Sequence, residues 1–419
     1  MNKALLKKLV MLWLGWALIL LAFQGWASMR FNLRGPDTVL DWTAEETDPA
    51  HPADKPYLSE PFMNAQVAWD SEYYLSIAMQ GYADPQIQGV SANYSWQNQH
   101  FCTPGLSSDC YSLSNAFFPF YPLAIRGAAG VLNLLPLNIS QIGRFTLAGV
   151  LVSLLGAMGA LIAVVALFLP SLEEEGALRA GFYFLIFPSA FFITQVYSEG
   201  LFLGLSLGAL ALMRARKWGW AGMLAALAAW TRPGGAILLL PLAIGWLQER
   251  PWRMGWKPAL LHGLAVLAPA LAYGVWTLTP QAARFQQVET LYFGRGFLAV
   301  QKSWMVWRSA WQHMLSAQNS MTTFYYGLEF AAILLALAGS LYAFKKFPEI
   351  SLYGIVLLAF TLTSGSAQGM LRYVLAVPGL FYLLAQIGRR PIVDRLWSLL
   401  SVSILALECI LFTFNYWVA

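Results

Sequence analysis

The sequence predicts an all-α, polytopic membrane protein, and two observations carry that prediction: the composition and the recurrence of long apolar segments. Hydrophobic residues make up 58% of the 419 residues, charged residues only 11%, and the mean hydropathy is positive, unlike that of a soluble domain. Apolar runs long enough to cross a bilayer recur, for example over 9–27, 145–169 and 325–344. The chain is therefore expected to form a single transmembrane domain, 1–419, with about eleven membrane segments in a range of roughly nine to thirteen.

The predicted membrane segments follow the apolar runs along the chain. The first is interpreted as a retained anchor rather than a signal peptide, because it is long and lacks a small-residue cleavage site. The stretch "TRPGG" at 231–235 interrupts one apolar run with a proline and two glycines, which is tolerated at membrane depth only against protein or a wet cavity. A further segment, 116–134, is expected to dip into the outer leaflet without crossing. The expected crossings are 9–28, 145–169, 177–194, 198–213, 219–231, 233–248, 258–278, 323–344, 350–364, 370–388 and 396–417.

The distribution of basic residues predicts the orientation of these segments. Basic residues precede the first segment and recur between later ones, always on one side of the predicted topology: Lys3, Lys7, Lys8, 214–217, 250–257, 345–346 and 389–390. Because short basic loops stay in the cytoplasm, the N-terminus is expected inside. The loops 29–115 and 279–322 then face the periplasm, the cell exterior or a lumen, and the first of them is too long for a simple connector.

Polar motifs gather at the predicted outward ends of the segments. Charged groups at membrane depth are costly, so Glu199, Arg232 and Arg372 are candidate functional residues that line a shared aqueous pocket. The alternative is that each is an interfacial residue whose charged end reaches water, and this alternative weakens when several such motifs share one face. The motifs are "WDSEYY" at 69–74, "FFPFYP" at 117–122, "VYSEG" at 196–200, "TRPGG" at 231–235 and "SGSAQGMLRY" at 364–373.

Asp70 is the strongest catalytic candidate. It precedes a stretch with helical spacing, so one interpretation is a helix N-cap, although Ser71 could cap the same helix. Asp70 is also flanked by amphipathic aromatic residues of the kind that settle at the headgroup level. A carboxylate in that position can accept a proton from a substrate hydroxyl delivered at the membrane surface, and the catalytic interpretation is the preferred one.

Other chemistries find little support in the sequence. The four histidines show no ligand spacing, so a protein-only zinc site is not expected, while a divalent ion stays an unsupported option. No Walker-type loop, dinucleotide fingerprint or nucleic-acid-binding run of basic and aromatic residues occurs. Cys102 and Cys110 lie in the first outer loop, where an oxidising compartment favours a disulfide, with two free thiols as the alternative. Cys409 lies in the last segment and is expected to be buried apolar filler.

Several ordered blocks resemble a known family. "WDSEYYLSIAMQGY", "AFFPFYPL", "FPSAFFITQVYSEGLF", "AWTRPGG" and "MLRYVLAVPGLF" resemble, in the same order, blocks of the PIG-V (GPI mannosyltransferase II) family of integral-membrane type C glycosyltransferases. The resemblance covers about residues 60 to 385. It implies a type C glycosyltransferase-like helix bundle that uses a polyprenyl-phosphate sugar, usually mannose, with Asp70 in the position of the base.

The resemblance also suggests a mechanism. Arg232 and Arg372 are expected to stabilise the lipid phosphate as the glycosidic bond breaks, while Asp70 deprotonates the acceptor hydroxyl in a single inverting displacement. Glu199 is expected to hold a sugar hydroxyl, or to replace Asp70 as the base. The remaining expected substrate contacts are Trp69, Glu72, Tyr121, Tyr197 and Gln368.

The expected partners are membrane lipids, the lipid-linked donor and a lipid- or protein-linked glycan acceptor, with no nucleic acid. The alternatives are transfer of another sugar, such as glucose or arabinose, or transport of a lipid or solute instead of transfer. A transporter also has broken helices and intramembrane charges, but it has no need of a long aromatic outer loop, and the chain shows no duplicated halves.

Overall fold

The protein is described here as a computed structural model that covers residues 2–33, 35–47, 55–95, 100–106 and 109–418. The parts of the predicted first loop at 34, 48–54, 96–99 and 107–108 lie outside the described residues. Helices dominate the described chain, as predicted. They are α1 Lys3–Arg30, α2 Thr43–Thr47, α3 Asp70–Met79, α4 Phe120–Leu132, α5 Gln141–Leu185, α6 Glu199–Arg214, α7 Trp218–Thr231, α8 Leu239–Glu249, α9 Trp256–Thr277, α10 Pro280–Leu291, α11 Val300–Ser316, α12 Ser320–Ala343, α13 Pro348–Leu362, α14 Met370–Tyr373, α15 Pro378–Ile387 and α16 Pro391–Thr413.

The segment 29–115, the predicted first outer loop, contains a small antiparallel sheet that the sequence analysis did not anticipate. Its strands are β1 Gly89–Ser91, β2 Phe101–Cys102 and β3 Cys110–Ser112, with β1 in the centre, Gly89 opposite both Cys102 and Ser112, and Ser91 opposite Cys110. The structure joins Cys102 and Cys110 in a disulfide, with Cα atoms 5.9 Å apart, which is the pairing expected from the sequence. The bond therefore connects the two outer strands across the central one.

The chain is an integral membrane protein. By length and hydropathy, five helices of the described chain can cross a membrane, namely α1, α5, α9, α12 and α16, and the bent pair formed by 370–376 and 378–387 raises the number to six. Each of the predicted crossings overlaps a helix, but several of those helices are too short to qualify by length. The number of about eleven crossings and the side that each loop faces stay predictions.

The ends of several helices meet at each of the two ends of the helix bundle. At one end Lys8 lies 2.5 Å from Glu174, beside the kink of α5 at Glu173, and the Arg214 guanidinium pairs with Glu349 at the start of α13. These contacts join residues of the basic clusters that the sequence places on one side. The other end holds the starts of α3 and α6 and the end of α7, which carry the candidate site residues.

Close packing of α5 and α6 fixes the position of Glu199. A Cβ atom on Gly200 would lie 2.4 Å from the Ser153 carbonyl oxygen, and one on Gly156 would lie 2.3 Å from the Gly200 carbonyl oxygen. The two backbones can approach this closely only because both positions lack a side chain. The first turn of α6, with Glu199 as its first residue, is therefore held against α5 without room to slide.

The predicted helix break at "TRPGG" is present. Helix α7 ends at Thr231, Arg232 adopts an extended backbone, and a 3₁₀ segment, Pro233–Leu238, leads into α8. Proline lacks the backbone N–H that would continue α7, which explains why the helix ends here. Arg232 is thereby placed at the break itself, with its side chain directed toward Glu199.

Candidate functional site

A large cavity of about 1340 Å³ opens at the end of the bundle that carries the polar motifs. Its wall includes the side chains of most of the predicted site residues, which come from α3, α6, the break after α7 and the turn before α14. The polar motifs therefore converge in space, as the sequence indicated. The predicted residues that line the cavity are Trp69, Asp70, Glu72, Glu199, Arg232, Gln368 and Arg372.

Four of these residues form one chain of ion pairs. Arg372 Nη1 donates a hydrogen bond to Asp70 Oδ2 at 3.1 Å, and Arg372 Nε lies 3.1 Å from Glu199 Oε1. Arg232 Nη2 lies 2.9 Å from the same Glu199 oxygen. Glu199 and Arg372 are buried, with side chains 1% and 5% exposed, whereas Asp70 retains 24% exposure and faces the cavity. The buried charges compensate one another, and the carboxylate at the end of the chain stays accessible.

Asp70 does not cap α3, so the N-cap interpretation is wrong. The cap position belongs to Trp69, whose φ of 48° is a strained conformation for a residue with a side chain, and whose side chain makes no capping bond. Ser71 does not cap the helix either, since its hydroxyl accepts a hydrogen bond from the Ala68 backbone N–H at 3.1 Å. The unusual backbone at Trp69 directs Asp70 away from the helix terminus and toward Arg372.

Tyr121 and Tyr197 were predicted to contact the sugar, but the structure places both outside the cavity wall. Tyr121 is fully buried, and its hydroxyl hydrogen-bonds the Gly149 carbonyl at 3.1 Å and Ser153 Oγ at 2.8 Å. The Tyr197 hydroxyl accepts a hydrogen bond from the Asp70 backbone N–H at 3.2 Å, and the Arg372 guanidinium lies 5.5 Å from its ring centre. Tyr197 therefore contacts the Asp70–Arg372 ion pair without lining the cavity, and Tyr121 packs α4 against α5.

Trp69 lines the cavity as part of an aromatic cluster rather than as a free platform. Its ring meets the rings of Trp42 and Trp417 edge to face, with centres 6.0 and 5.3 Å apart. Its indole N–H donates to the Tyr416 carbonyl at 3.2 Å. The residues after α16 thus hold the strained start of α3, a contact across most of the chain that the sequence did not reveal.

Arg372 is positioned by a tight turn that a buried carboxylate holds. Gly369 begins the turn with a φ of 80°, and Glu329, 1% exposed on α12, accepts hydrogen bonds from the backbone N–H groups of Gly369 at 2.7 Å and Leu371 at 3.0 Å. Ser189 Oγ donates to the Leu371 carbonyl at 2.6 Å. Sequence reasoning missed Glu329, although an acidic residue within the apolar stretch of α12 was a usable signal.

We expect Glu329→Gln to displace Arg372 and so to lower the sugar transfer that the family resemblance implies. An amide can accept only one of the two backbone hydrogen bonds and places an N–H group against the other donor, at a cost of about 1 to 3 kcal/mol. Glu349→Gln at the start of α13 is the control for transfer, because that carboxyl is also buried but pairs with Arg214 at the opposite end of the bundle. The rate of transfer and the thermal midpoint should both fall in Glu329→Gln and should recover in part in Glu329→Asp. A Glu329→Gln variant as active as wild type contradicts the positioning role.

The segment 279–322, the predicted second outer loop, contributes further polar residues that sequence reasoning missed. Arg295 and Glu289 line the cavity, and Arg295 Nη1 donates to the Tyr373 hydroxyl at 3.4 Å. The same hydroxyl accepts from Arg372 Nη2 at 3.3 Å. Tyr373 thus connects two arginines that are far apart in the sequence. The signal available for Arg295 was a charged residue between two glycines in an otherwise apolar stretch, "YFGRGF".

Burial raises the pKa of the Glu289 carboxyl from its ordinary 4.5 to about 7. The positive charge of Arg295 lowers this pKa, and the negative charge of Asp70 raises it. A raised pKa means that the folded protein binds this proton more tightly than the unfolded chain does. The resulting stability is fully present below the ordinary pKa and is lost as the pH rises through about 7.

We therefore expect Glu289→Gln to become more stable relative to wild type as the pH rises from about 5 to about 8. The measurement is the difference between the thermal midpoints of the two proteins at each pH. Gln286→Asn, on the same helix and the same cavity wall, is the control and should show no such trend. A difference between Glu289→Gln and wild type that does not change with pH contradicts this assignment.

Among the described residues, no group of three or more His, Cys, Asp or Glu side chains could hold a metal ion. A divalent ion therefore stays an unsupported option, as in the sequence analysis. The arrangement that is present consists of an accessible carboxylate, Asp70, next to a set of arginines on one cavity wall.

Comparison with known proteins connects part of the chain to a family. Residues 87–239 match the model of the family Mannosyltransferase (PIG-V). The chain is 32% identical over 196 residues to GPI alpha-1,6-mannosyltransferase 2 of Mus musculus, across 46% of this chain and 38% of that protein. It is 29% identical over 221 residues to the protein of the same name from Rattus norvegicus, across 50% of this chain and 43% of that protein. The chain thus spans well under half the length of these relatives.

Two solved structures share a weaker likeness. ArnT from Cupriavidus metallidurans bound to undecaprenyl phosphate aligns with a TM-score of 0.43 at 12% identity, over 97% of this chain and 76% of that one. The Archaeoglobus fulgidus oligosaccharyltransferase in its apo form aligns with a TM-score of 0.39 at 14% identity, over 96% and 56%. TM-scores of this size do not establish a shared fold. The predicted resemblance to the PIG-V mannosyltransferase family is confirmed over residues 87–239, the segment that contains Glu199 and Arg232.

Proposed function

We propose that this protein is a membrane glycosyltransferase that moves a sugar, mannose in the first instance, from a polyprenyl-phosphate donor to a hydroxyl of a lipid- or protein-linked glycan. The observation that carries the proposal is the accessible Asp70 carboxylate, held by Arg372 on a cavity wall that also presents Arg232 and Arg295. The likeness of residues 87–239 to PIG-V mannosyltransferases supports this choice of reaction and sugar.

In the proposed reaction an Asp70 oxygen takes the proton of the acceptor hydroxyl, and the acceptor oxygen attacks the anomeric carbon of the donor. The bond from that carbon to the phosphate oxygen breaks, and the polyprenyl phosphate leaves with the electron pair. A single displacement of this kind inverts the configuration at the anomeric carbon and needs no covalent enzyme intermediate. Asp70 suits the role better than Glu199, because Glu199 is 1% exposed and lies between two arginines.

The negative charge on the phosphate grows as the sugar leaves, so cations placed beforehand stabilise the transition state more than the bound donor. Arg232 is 18% exposed and pairs with the Glu199 carboxylate, so it can turn part of its guanidinium to the phosphate. Arg295 lines the same cavity. Arg372 is 5% exposed and contacts Asp70, Glu199 and Tyr373, so we assign it to positioning Asp70 rather than to binding the phosphate directly.

The test is transfer by the purified protein in lipid nanodiscs. Polyprenyl-phosphate mannose, glucose and arabinose are supplied in turn with a panel of glycolipid and glycopeptide acceptors, and the products are identified by mass spectrometry. Mannose transfer supports the proposal, and transfer of glucose or arabinose alone changes the sugar. If the protein in sealed vesicles moves a lipid or solute across the bilayer and transfers no sugar, it is a transporter and the proposal is wrong.

A further inference from the structure

Helix α11, within the predicted second outer loop, presents two chemically different faces. Residues spaced three or four apart on one face line the cavity: Lys302, Val306, Ser309, His313 and Ser316. A second face, about half a turn away by helical spacing, is apolar and exposed. It consists of Val300, Trp304, Trp311 and Leu315, with exposures of 60%, 71%, 48% and 63%. We call these four residues the apolar face of α11.

A soluble loop does not hold a helix with such a face in water, since exposed apolar residues at helical spacing mark a surface that another phase or partner covers. The side of α11 that packs on the protein lies between its two other faces and includes Ser303 and Ala310, 4% and 1% exposed. The apolar face is therefore not directed into the protein core. The apolar face lies next to the buried side around the helix axis and points away from the protein.

The position of α11 identifies the partner as lipid. The Trp311 ring meets the ring of Phe330 edge to face at 5.3 Å, and Phe330 belongs to α12, a candidate membrane span. Only a few residues separate the end of α11 from the start of α12, whose Met321 and Phe324 are also exposed, at 56% and 46%. The apolar face thus lies beside the first part of a candidate membrane helix, from its exposed start to Phe330, and tryptophan side chains settle where such helices enter the headgroup region.

We propose that α11 lies in the membrane interface, with its apolar face inserted at the boundary between headgroups and acyl chains and its opposite face closing the cavity. An interfacial helix buries its apolar side to a depth of about 5 to 10 Å. Arg308, exposed on the same helix, is placed to meet lipid phosphates. The bilayer and the cavity are then separated by about 10 Å, the width of one helix.

Spin labels on single cysteines test the proposal in the full chain in lipid nanodiscs. The background is Cys409→Ala, with the Cys102–Cys110 disulfide retained because a thiol-specific label does not react with it. Trp304→Cys and Leu315→Cys place the label on the apolar face, and Ser309→Cys places it on the cavity face of the same helix. Two positions on the apolar face keep the test decisive if one variant fails to fold.

The measurement is the collision rate of each label with oxygen, which partitions into lipid, and with a water-soluble nickel chelate. We expect labels at 304 and 315 to favour oxygen and the label at 309 to favour nickel. Equal preference for nickel at all three positions overturns the proposal. Dipolar broadening at 304 or 315 with no gain in oxygen collisions also overturns it, because that result means that a second copy of the chain covers the face.

Discussion

Asp70→Asn is expected to lower sugar transfer by a factor of about 10² to 10⁴, the usual loss when a general base is removed. Asparagine matches aspartate in size but cannot accept the hydroxyl proton. The side chain does not cap α3, so the substitution should leave the helix terminus unaffected, and the folded protein should persist with Arg372 short of one charged partner. Donor binding should survive, because the proposed phosphate contacts come from other residues. The measurement is the rate of transfer beside donor affinity and thermal midpoint.

Glu72→Gln is the matched control for Asp70→Asn. Both carboxylates lie in the first turn of α3 and line the cavity, but they point in directions about 200° apart around the helix axis. The control should therefore lose much less activity than Asp70→Asn. Full activity in Asp70→Asn contradicts the assignment and transfers the role to another cavity carboxylate, Glu199 or Glu289. Loss of folding in Asp70→Asn would instead mark Asp70 as a structural partner of Arg372.

The convergence of the polar motifs could be predicted because one physical rule covers all of them. A charged group at membrane depth is costly, so Glu199, Arg232 and Arg372 were expected to share a pocket, and they form one chain of ion pairs. Glu329 falls under the same rule, but it lies inside an apolar run rather than at its end, so it was not among the predicted site residues. Its partners are backbone N–H groups, which leave no pattern in a sequence.

The corrected assignments concern residues whose side chains fit two roles equally well. A tyrosine beside a polar motif can bind a sugar or fill a core, and only its neighbours decide between these roles. Tyr121 meets a backbone carbonyl and Ser153, partners about thirty residues away in the chain, so it belongs to the packing of α4 and α5. The strained backbone of Trp69 is equally hidden, because positive φ values are expected at glycine and not at tryptophan.

Long-range contacts account for the rest of what the sequence did not reveal. Tyr373 receives hydrogen bonds from Arg372, its neighbour, and from Arg295, which belongs to a different loop. Trp417 packs on Trp69 from the opposite end of the chain. Helical periodicity predicts which face of a helix is buried but not which helix it meets, so neither pairing could be derived from local pattern.

Arg372→Gln is expected to cost about 1 to 3 kcal/mol of stability and to abolish transfer. The stability loss follows because Glu199 is 1% exposed and would keep its charge with Arg232 as its remaining cationic partner in the ion-pair chain. The activity loss follows because Asp70 loses the hydrogen bond that orients it. These two effects have different origins, so a second substitution can separate them.

The double variant Glu199→Gln, Arg372→Gln removes the buried carboxylate together with its partner. If the two charges stabilise each other, the double variant should regain much of the thermal midpoint lost by Arg372→Gln, as coupled residues in one network do. It should remain inactive, since Asp70 still has no arginine beside it. A double variant as unstable as Arg372→Gln refutes the coupling, and recovered transfer refutes the positioning of Asp70 by Arg372. Recovery of stability without activity is the outcome that separates the cost of burying these charges from their use in the reaction.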